Sequence, residues 1–258
     1  MNSLIFCTLY LLLEILLFMK VIGIIPARYA STRFPAKPLV EIHGKTMIQR
    51  VYEQAIKTSF DKIIIATDDE RIYKHAVGFD AEVLMTSINH NNGTERCAEV
   101  ISLLNDEYDI VVNIQGDEPF VDPAMLDEVI KAFDKKETVI ATLIKKIKDK
   151  NYLQNPNIIK VVKDINHQAI YFSRSAIPYT RNEIDGFDFF KHIGIYAFRT
   201  NCIKELVHLK PSKLEQIESL EQLRWLENGY KIQLVETTLE ADSIDTPEDL
   251  ERLLKKYF

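Results

Sequence analysis

Three short apolar runs, at 21–25, 62–67 and 109–115, each end abruptly in a polar or turn-forming segment. Val-Ile-Gly-Ile-Ile runs into Pro26, Lys-Ile-Ile-Ile-Ala-Thr into Asp68-Asp69, and Asp-Ile-Val-Val-Asn-Ile-Gln into Gly116-Asp117-Glu118-Pro119. Apolarity without alternation is what a strand covered on both faces requires, and such strands belong to parallel sheets. The segments between them read as helices. Met47, Ile48, Val51, Ala55 and Ile56 mark one face over 46–59. Further helices are predicted at 69–77, from the 89–95 loop through Leu104, and at 123–135 with Pro123 near the first turn; a short strand fits 82–85. This alternation predicts an α/β fold with a doubly wound, mostly parallel sheet. Ligands of such sheets bind where the carboxyl ends of the strands meet.

After about residue 138 the rhythm changes. Strands are predicted at 138–144, 158–163, 168–173 and 191–198, the second and third joined as a hairpin through Asp164-Ile165-Asn166-His167. A long amphipathic helix is expected over 214–228, a strand over 231–236 and a closing helix over 247–257, capped near Thr246. The expected architecture is one domain over 19–258 with a smaller antiparallel insertion at about 138–212, shaping a second pocket or a subunit face.

The chain has 258 residues, enough for one large α/β domain, and a net charge of −6, which argues against a nucleic-acid partner. Its three cysteines, Cys7, Cys97 and Cys202, form no CxxC pair, and its six histidines show no helical metal-ligand spacing. A reducing cytoplasm is therefore expected. Residues 1–18 are strongly apolar but lack a basic n-region and a small-residue cleavage site, and they are short for a membrane span of about 20 residues. They read as an upstream start included in the frame, with a hydrophobic anchor as the alternative; no stable membrane partner is expected.

Against that acidic background the loop after the first strand is an exception. Arg28, Arg33 and Lys37 are cationic, Ala27, Ala30, Ser31 and Thr32 are small, and Pro26, Pro35 and Pro38 stiffen the path. Small residues let the backbone approach a ligand, so this loop is a candidate polyphosphate site. Asp117, at the end of the third run, can hold Mg²⁺ or simply open a turn. Asp245, before the last helix, can cap that helix or share a metal with Asp117. Spacing leaves both pairs of alternatives open.

The stretches I-P-A-R-Y-A-S-T-R-F-P-A-K-P-L, N-G-T-E-R, V-N-I-Q-G-D-E-P, Y-F-S-R-S-A-I-P, H-I-G-I-Y, L-E-Q-L-R and I-D-T-P-E-D-L occur in this order between Ile25 and Leu250. Together they resemble the 3-deoxy-manno-octulosonate cytidylyltransferase (CMP-KDO synthetase) family, from Met19 to the C-terminus. The resemblance implies a nucleotide-diphospho-sugar transferase-like fold and transfer of CMP from CTP to 3-deoxy-D-manno-octulosonate (KDO), releasing pyrophosphate, for lipopolysaccharide assembly. It further implies Mg²⁺ as cofactor and a homodimer. Ala27, Arg28, Ser31, Arg33, Lys37, Asn92, Gly93, Thr94, Arg96 and Gln115 correspond to the nucleotide site, and Lys37, Arg33 and Asp117 to the catalytic set. Asp117 and Asp245 correspond to the metal ligands, and Arg174, His192, Tyr196, Glu221 and Gln222 to the sugar pocket. In that scheme Arg174 pairs with the sugar carboxylate, while His192 and Gln222 bond its hydroxyls.

Two departures are visible. Ala36 stands where the family usually has glycine, and Asn92 replaces a common serine. A cytidylyltransferase for another acidic sugar, such as a sialic acid, and a nucleotide sensor without chemistry are the competing readings, and a membrane-anchored scaffold rests on residues 1–18 alone. Cys97, His75 and His208 are expected to be structural.

Overall fold

The computed structural model describes residues 19–30, 34–182 and 185–258. The leader at 1–18, together with Ser31 and Arg33, therefore lies outside the described residues. The first run forms β1 (Val21–Ala27), the second β4 (Lys62–Thr67) and the third β6 (Ile110–Asn113), after a small hairpin of β2 (Glu41–Ile42) and β3 (Lys45–Thr46). β5 (Val83–Met85) completes the first half. β1 lies between β4 and β6 and is parallel to both, with Ile24 opposite Asn113 and Ala27 opposite Thr67. The three strand tips therefore emerge along one edge.

The second half adds β7 (Ile140–Lys146), β8 (Lys160–Lys163), β9 (Ala169–Ser173), β10 (Phe190–Arg199) and β11 (Ile232–Glu236). The main strand order is β11-β7-β10-β6-β1-β4-β5, with β8 and β9 joined through β10. Within that order β10 alone runs against the rest, antiparallel to both β6 and β7. The antiparallel character expected after 138 is present, but as strands of the same sheet; only the β8–β9 hairpin is appended to it. β10 enters at the edge where β6 leaves, and Tyr196 pairs with Asn113.

Side-chain alternation along β1 divides the core. Val21 and Ile25 face helices α1 (Met47–Ala55), α2 (Glu70–Val77) and α4 (Pro123–Ile130). Ile22 and Ile24 face α3 (Gly93–Leu103), α5 (Thr200–Leu206) and α7 (Gln222–Glu227). Among the described residues, no helix is long and apolar enough to cross a membrane.

The single helix expected over 214–228 is two helices, α6 (Lys213–Glu218) and α7. Ser219 interrupts it in the left-handed region, φ 51°. A capping box of Ser212 and Glu215 starts α6, and the Arg224 guanidinium donates to both Glu215 carboxylate oxygens at 2.7 and 2.5 Å, fastening α7 back onto it. The break reorients the chain so that Leu220 and Leu223 enter the core while Gln222 reaches the sheet edge. Hydrophobic periodicity continues across such a break, so it did not reveal it. The last helix, α8 (Pro247–Tyr257), forms as expected, with a capping box of Thr246 and Asp249. Its Leu253 packs with Ile42, Met47 and Ile244 in a small separate core beside the β1 loop.

Glycine is required where the chain leaves β6. A Cβ on Gly116 would lie 2.7 Å from the Pro26 carbonyl oxygen, a backbone atom that cannot swing aside. Gly116→Ala is therefore expected to force the tips of β1 and β6 apart and destabilise the protein by about 1–3 kcal/mol, lowering the melting temperature by roughly 2–10 °C. An unchanged thermal midpoint would show that the two tips are not in obligatory contact.

Candidate active site

The close crossing of Gly116 over Pro26 places Gln115 and Asp117 beside the start of the cationic loop. That loop turns back on itself: the Ala36 N–H donates to the Tyr29 carbonyl at 3.2 Å, and a 3₁₀ turn follows at Lys37–Leu39. Ala36 makes the reversal at φ 58°, the left-handed conformation that glycine takes more cheaply. Lys37 is thereby returned to the strand tips. Its Nζ donates to Asp117 Oδ2 at 2.7 Å, to Asp245 Oδ1 at 3.3 Å and to the Ile244 carbonyl at 3.0 Å.

Asp245 reaches this point through two anchors. The Ile244 N–H donates to the Asp117 carbonyl at 2.9 Å, and α8 packs over β2–β3. Lys37, Asp117 and Asp245, far apart in sequence, thus form one partly buried cluster.

The cluster borders a cavity of about 410 Å³. Ala27, Arg28, Asn92, Gly93, Thr94, Arg96, Gln115, Tyr196, Glu221 and Gln222 also line it, so most of the expected nucleotide and sugar residues share one space. The start of α3 supplies one wall, where the Asn92 side chain caps the helix by accepting from the Glu95 N–H at 2.8 Å. Arg96 is buried, and its guanidinium donates to Asp68 at 2.7 Å and to Thr86 Oγ1 at 2.5 Å. Gln115 Nε2 donates to the Gly194 carbonyl at 2.6 Å, fixing the β6 tip to β10.

On the neighbouring wall the Thr94 hydroxyl donates to Glu221 Oε2 at 3.0 Å. Burial pushes the Glu221 carboxyl up to about 7, against the opposing effect of that hydrogen bond. Tyr196 meets Trp225 edge-on at 5.1 Å between ring centroids.

Two expected sugar residues are not brought to this cavity. Arg174 Nε, Nη1 and Nη2 donate to the carbonyls of Glu218, Pro156 and Ser219 at 2.7, 3.0 and 3.4 Å. These bonds hold the guanidinium at the α6–α7 break, away from the cavity lining. His192 lies one layer back, with Nε2 at 3.0 Å from Thr142 Oγ1 and its ring against Phe172 and Tyr196. Burial holds its imidazole down at about 3, so it is neutral at physiological pH.

Sequence reasoning missed Asn113, Trp225, Asp68 and Glu118. Asn113 and Trp225 line the cavity, and each has a buried polar atom, Oδ1 and Nε1, without a partner among the described residues. Asp68 fixes Arg96. Glu118 is buried, with its carboxyl pushed up to about 8 by burial and then by the charge of Asp117. The polar Asn113 inside an otherwise apolar strand was the one visible signal.

The chemistry of the Lys37 cluster also fits a hard divalent cation. Three oxygens, from Asp117, Asp245 and Ile244, already surround a positive nitrogen. The described residues contain no cluster of three or more His, Cys, Asp or Glu side chains suited to a metal. Two carboxylates suit Mg²⁺, which keeps several waters and takes substrate phosphate oxygens as further ligands.

Comparison with known proteins agrees with this geometry. A family model described as cytidylyltransferase matches residues 22–232. A 3-deoxy-manno-octulosonate cytidylyltransferase of Parabacteroides distasonis is 51% identical over 245 residues, covering 92% of this chain and 97% of the relative. Its counterpart in Bacteroides thetaiotaomicron is 52% identical over 240 residues, covering 90% and 96%. A solved CMP:2-keto-3-deoxy-manno-octonic acid synthetase complexed with CTP superposes with a TM-score of 0.87 at 38% identity, covering 92% of this chain and 98% of that one. The chain belongs to the cytidylyltransferase family and, within it, to the 3-deoxy-manno-octulosonate cytidylyltransferases.

Proposed function

We propose that this protein transfers CMP from CTP to the anomeric hydroxyl of KDO, releasing pyrophosphate and giving CMP-KDO for lipopolysaccharide assembly. Mg²⁺ is the proposed cofactor, the homodimer the proposed assembly and the cytoplasm the proposed location. The observation that carries the reading is the meeting of Lys37 with Asp117 and Asp245 beside a cavity lined both by the cationic Arg28 and by hydrogen-bonding side chains such as Thr94, Asn113 and Gln222.

In this reaction the sugar hydroxyl attacks the α-phosphorus in line with departing pyrophosphate, so positioning and charge neutralisation carry the catalysis. Lys37 supplies a point charge at the strand tips and Arg28 a planar one at the rim, both suited to phosphate oxygens. Asp117 and Asp245 would hold Mg²⁺, which when bound adds electrostatic stabilisation of phosphate charge. Gln115, held by the Gly194 carbonyl, keeps β6 and β10 in register beside the site. Thr94 and Glu221 connect the α3 wall to the α7 wall. With a carboxyl that titrates near neutrality, Glu221 can accept a hydrogen bond in either state and can donate one when protonated.

Pyrophosphate release, measured with CTP and either KDO or sialic acid, tests the reading: turnover with KDO and not with sialic acid is expected, and the reverse preference would overturn it. Asp117→Asn should lower turnover about a thousandfold, roughly 4 kcal/mol of barrier; near-normal turnover in that variant would remove Asp117 from the chemistry.

Glu221 also generates a pH prediction. Its carboxyl titrates at 4.5 ordinarily and at about 7 in the folded protein, so between these values the folded state holds the extra proton. Stability from this group therefore falls as pH rises through that window, and the full cost is in place above it. Glu221→Gln removes the charge. In denaturant melts it should match the parent near pH 4.5 and exceed it at pH 8 by on the order of 2 kcal/mol, while its activity falls. Equal stability of the two proteins at pH 8 would show that the charged carboxyl carries no burial cost.

A further inference from the structure

Trp225 is the chain's single tryptophan and is only 1% exposed, yet it lines the cavity. Its ring is accounted for by packing, edge-on to Tyr196 at 5.1 Å and to Phe198 at 5.4 Å. Phenylalanine would keep an aromatic ring against both, without an N–H. The indole N–H is not accounted for: it can only donate, and it finds no acceptor among the described residues. Buried donors are costly unless bonded, and a partner can come from what fills the adjoining cavity.

The surroundings of Trp225 identify that partner's class. Trp225 follows Gln222 by three residues on α7, which puts both on one helical face. Tyr196 lies against Trp225 and opposite Asn113 across the β6–β10 pair. These groups offer neutral hydrogen-bonding atoms, whereas the cavity's cations Arg28 and Lys37 come from the β1 loop and suit phosphates. Arg96, the remaining lysine or arginine of the lining among the described residues, is engaged by Asp68 and Thr86. With Arg174 held by three carbonyls, a polyhydroxy acid in this cavity needs neutral donors.

We propose that the Trp225 indole N–H donates a hydrogen bond to an oxygen of the acidic sugar, making Trp225 a binding residue for the sugar rather than for the nucleotide. This inference rests on the cytidylyl-transfer reading given above.

Trp225→Phe, made in the full chain, separates the N–H from the packing. With CTP and KDO varied independently, the variant should show a KM for KDO raised about tenfold, with kcat and the KM for CTP within about twofold of the parent. An unchanged KM for KDO, or a rise confined to CTP, overturns the proposal. The unmodified protein offers a second readout, because Trp225 is its only indole. Its emission should shift when KDO is added to protein holding the non-transferable α,β-methylene analogue of CTP, and stay constant when the analogue is added alone. Emission that responds to the analogue and not to KDO contradicts the assignment. If the parent itself releases no pyrophosphate from CTP and KDO, the underlying reading fails; if it does and the variant's KM for KDO is unchanged, only the role of Trp225 fails.

Discussion

Everything at this site depends on one cation held between two acidic side chains that the sequence keeps far apart. Lys37 leaves a loop at the end of the first strand, Asp117 leaves the third apolar run, and Asp245 precedes the last helix. None of the three could be set there by local structure. The sheet order puts β6 beside β1, Gly116 permits contact with Pro26, and the Ile244 N–H ties the C-terminal segment to the Asp117 backbone. The small core of Ile42, Met47, Ile244 and Leu253 then secures α8 against the β2–β3 hairpin. The closing helix is therefore part of the site's construction.

Around that point the protein accepts arrangements that stability alone would not select. Glu221 and Glu118 are carboxyls whose burial disfavours their charged forms. Asn113 and Trp225 carry buried polar atoms without partners among the described residues, and Ala36 occupies a left-handed backbone conformation. Features of this kind gather at sites built for a ligand, whose polar groups can supply the missing partners. Their concentration along one sheet edge is physical support for the cavity's role that does not depend on sequence likeness.

Much of this was legible in the chain. Unalternating apolar runs gave the parallel strands, and turn-forming residues after them gave the tips where the ligand edge lies. Charge contrast singled out the loop with Arg28 and Lys37. What the sequence could not disclose was decided by backbone geometry and long-range packing. Ser219 breaks a hydrophobic period that continues on both sides of it, so one helix was read where two exist. The Arg174 guanidinium finds two carbonyls at that same break, of Glu218 and Ser219, and a third at Pro156. The Trp225 ring packs in the core, and its N–H, without an acceptor among the described residues, is visible only in three dimensions.

The central claim is that Asp117 and Asp245 act as one unit around a shared positive charge. A double-mutant cycle on turnover tests it directly, comparing Asp117→Asn, Asp245→Asn and the double variant with the parent. Coupled action predicts that the double variant loses little more than the more damaging single change. Losses that multiply, each variant contributing its full factor independently, would contradict the account.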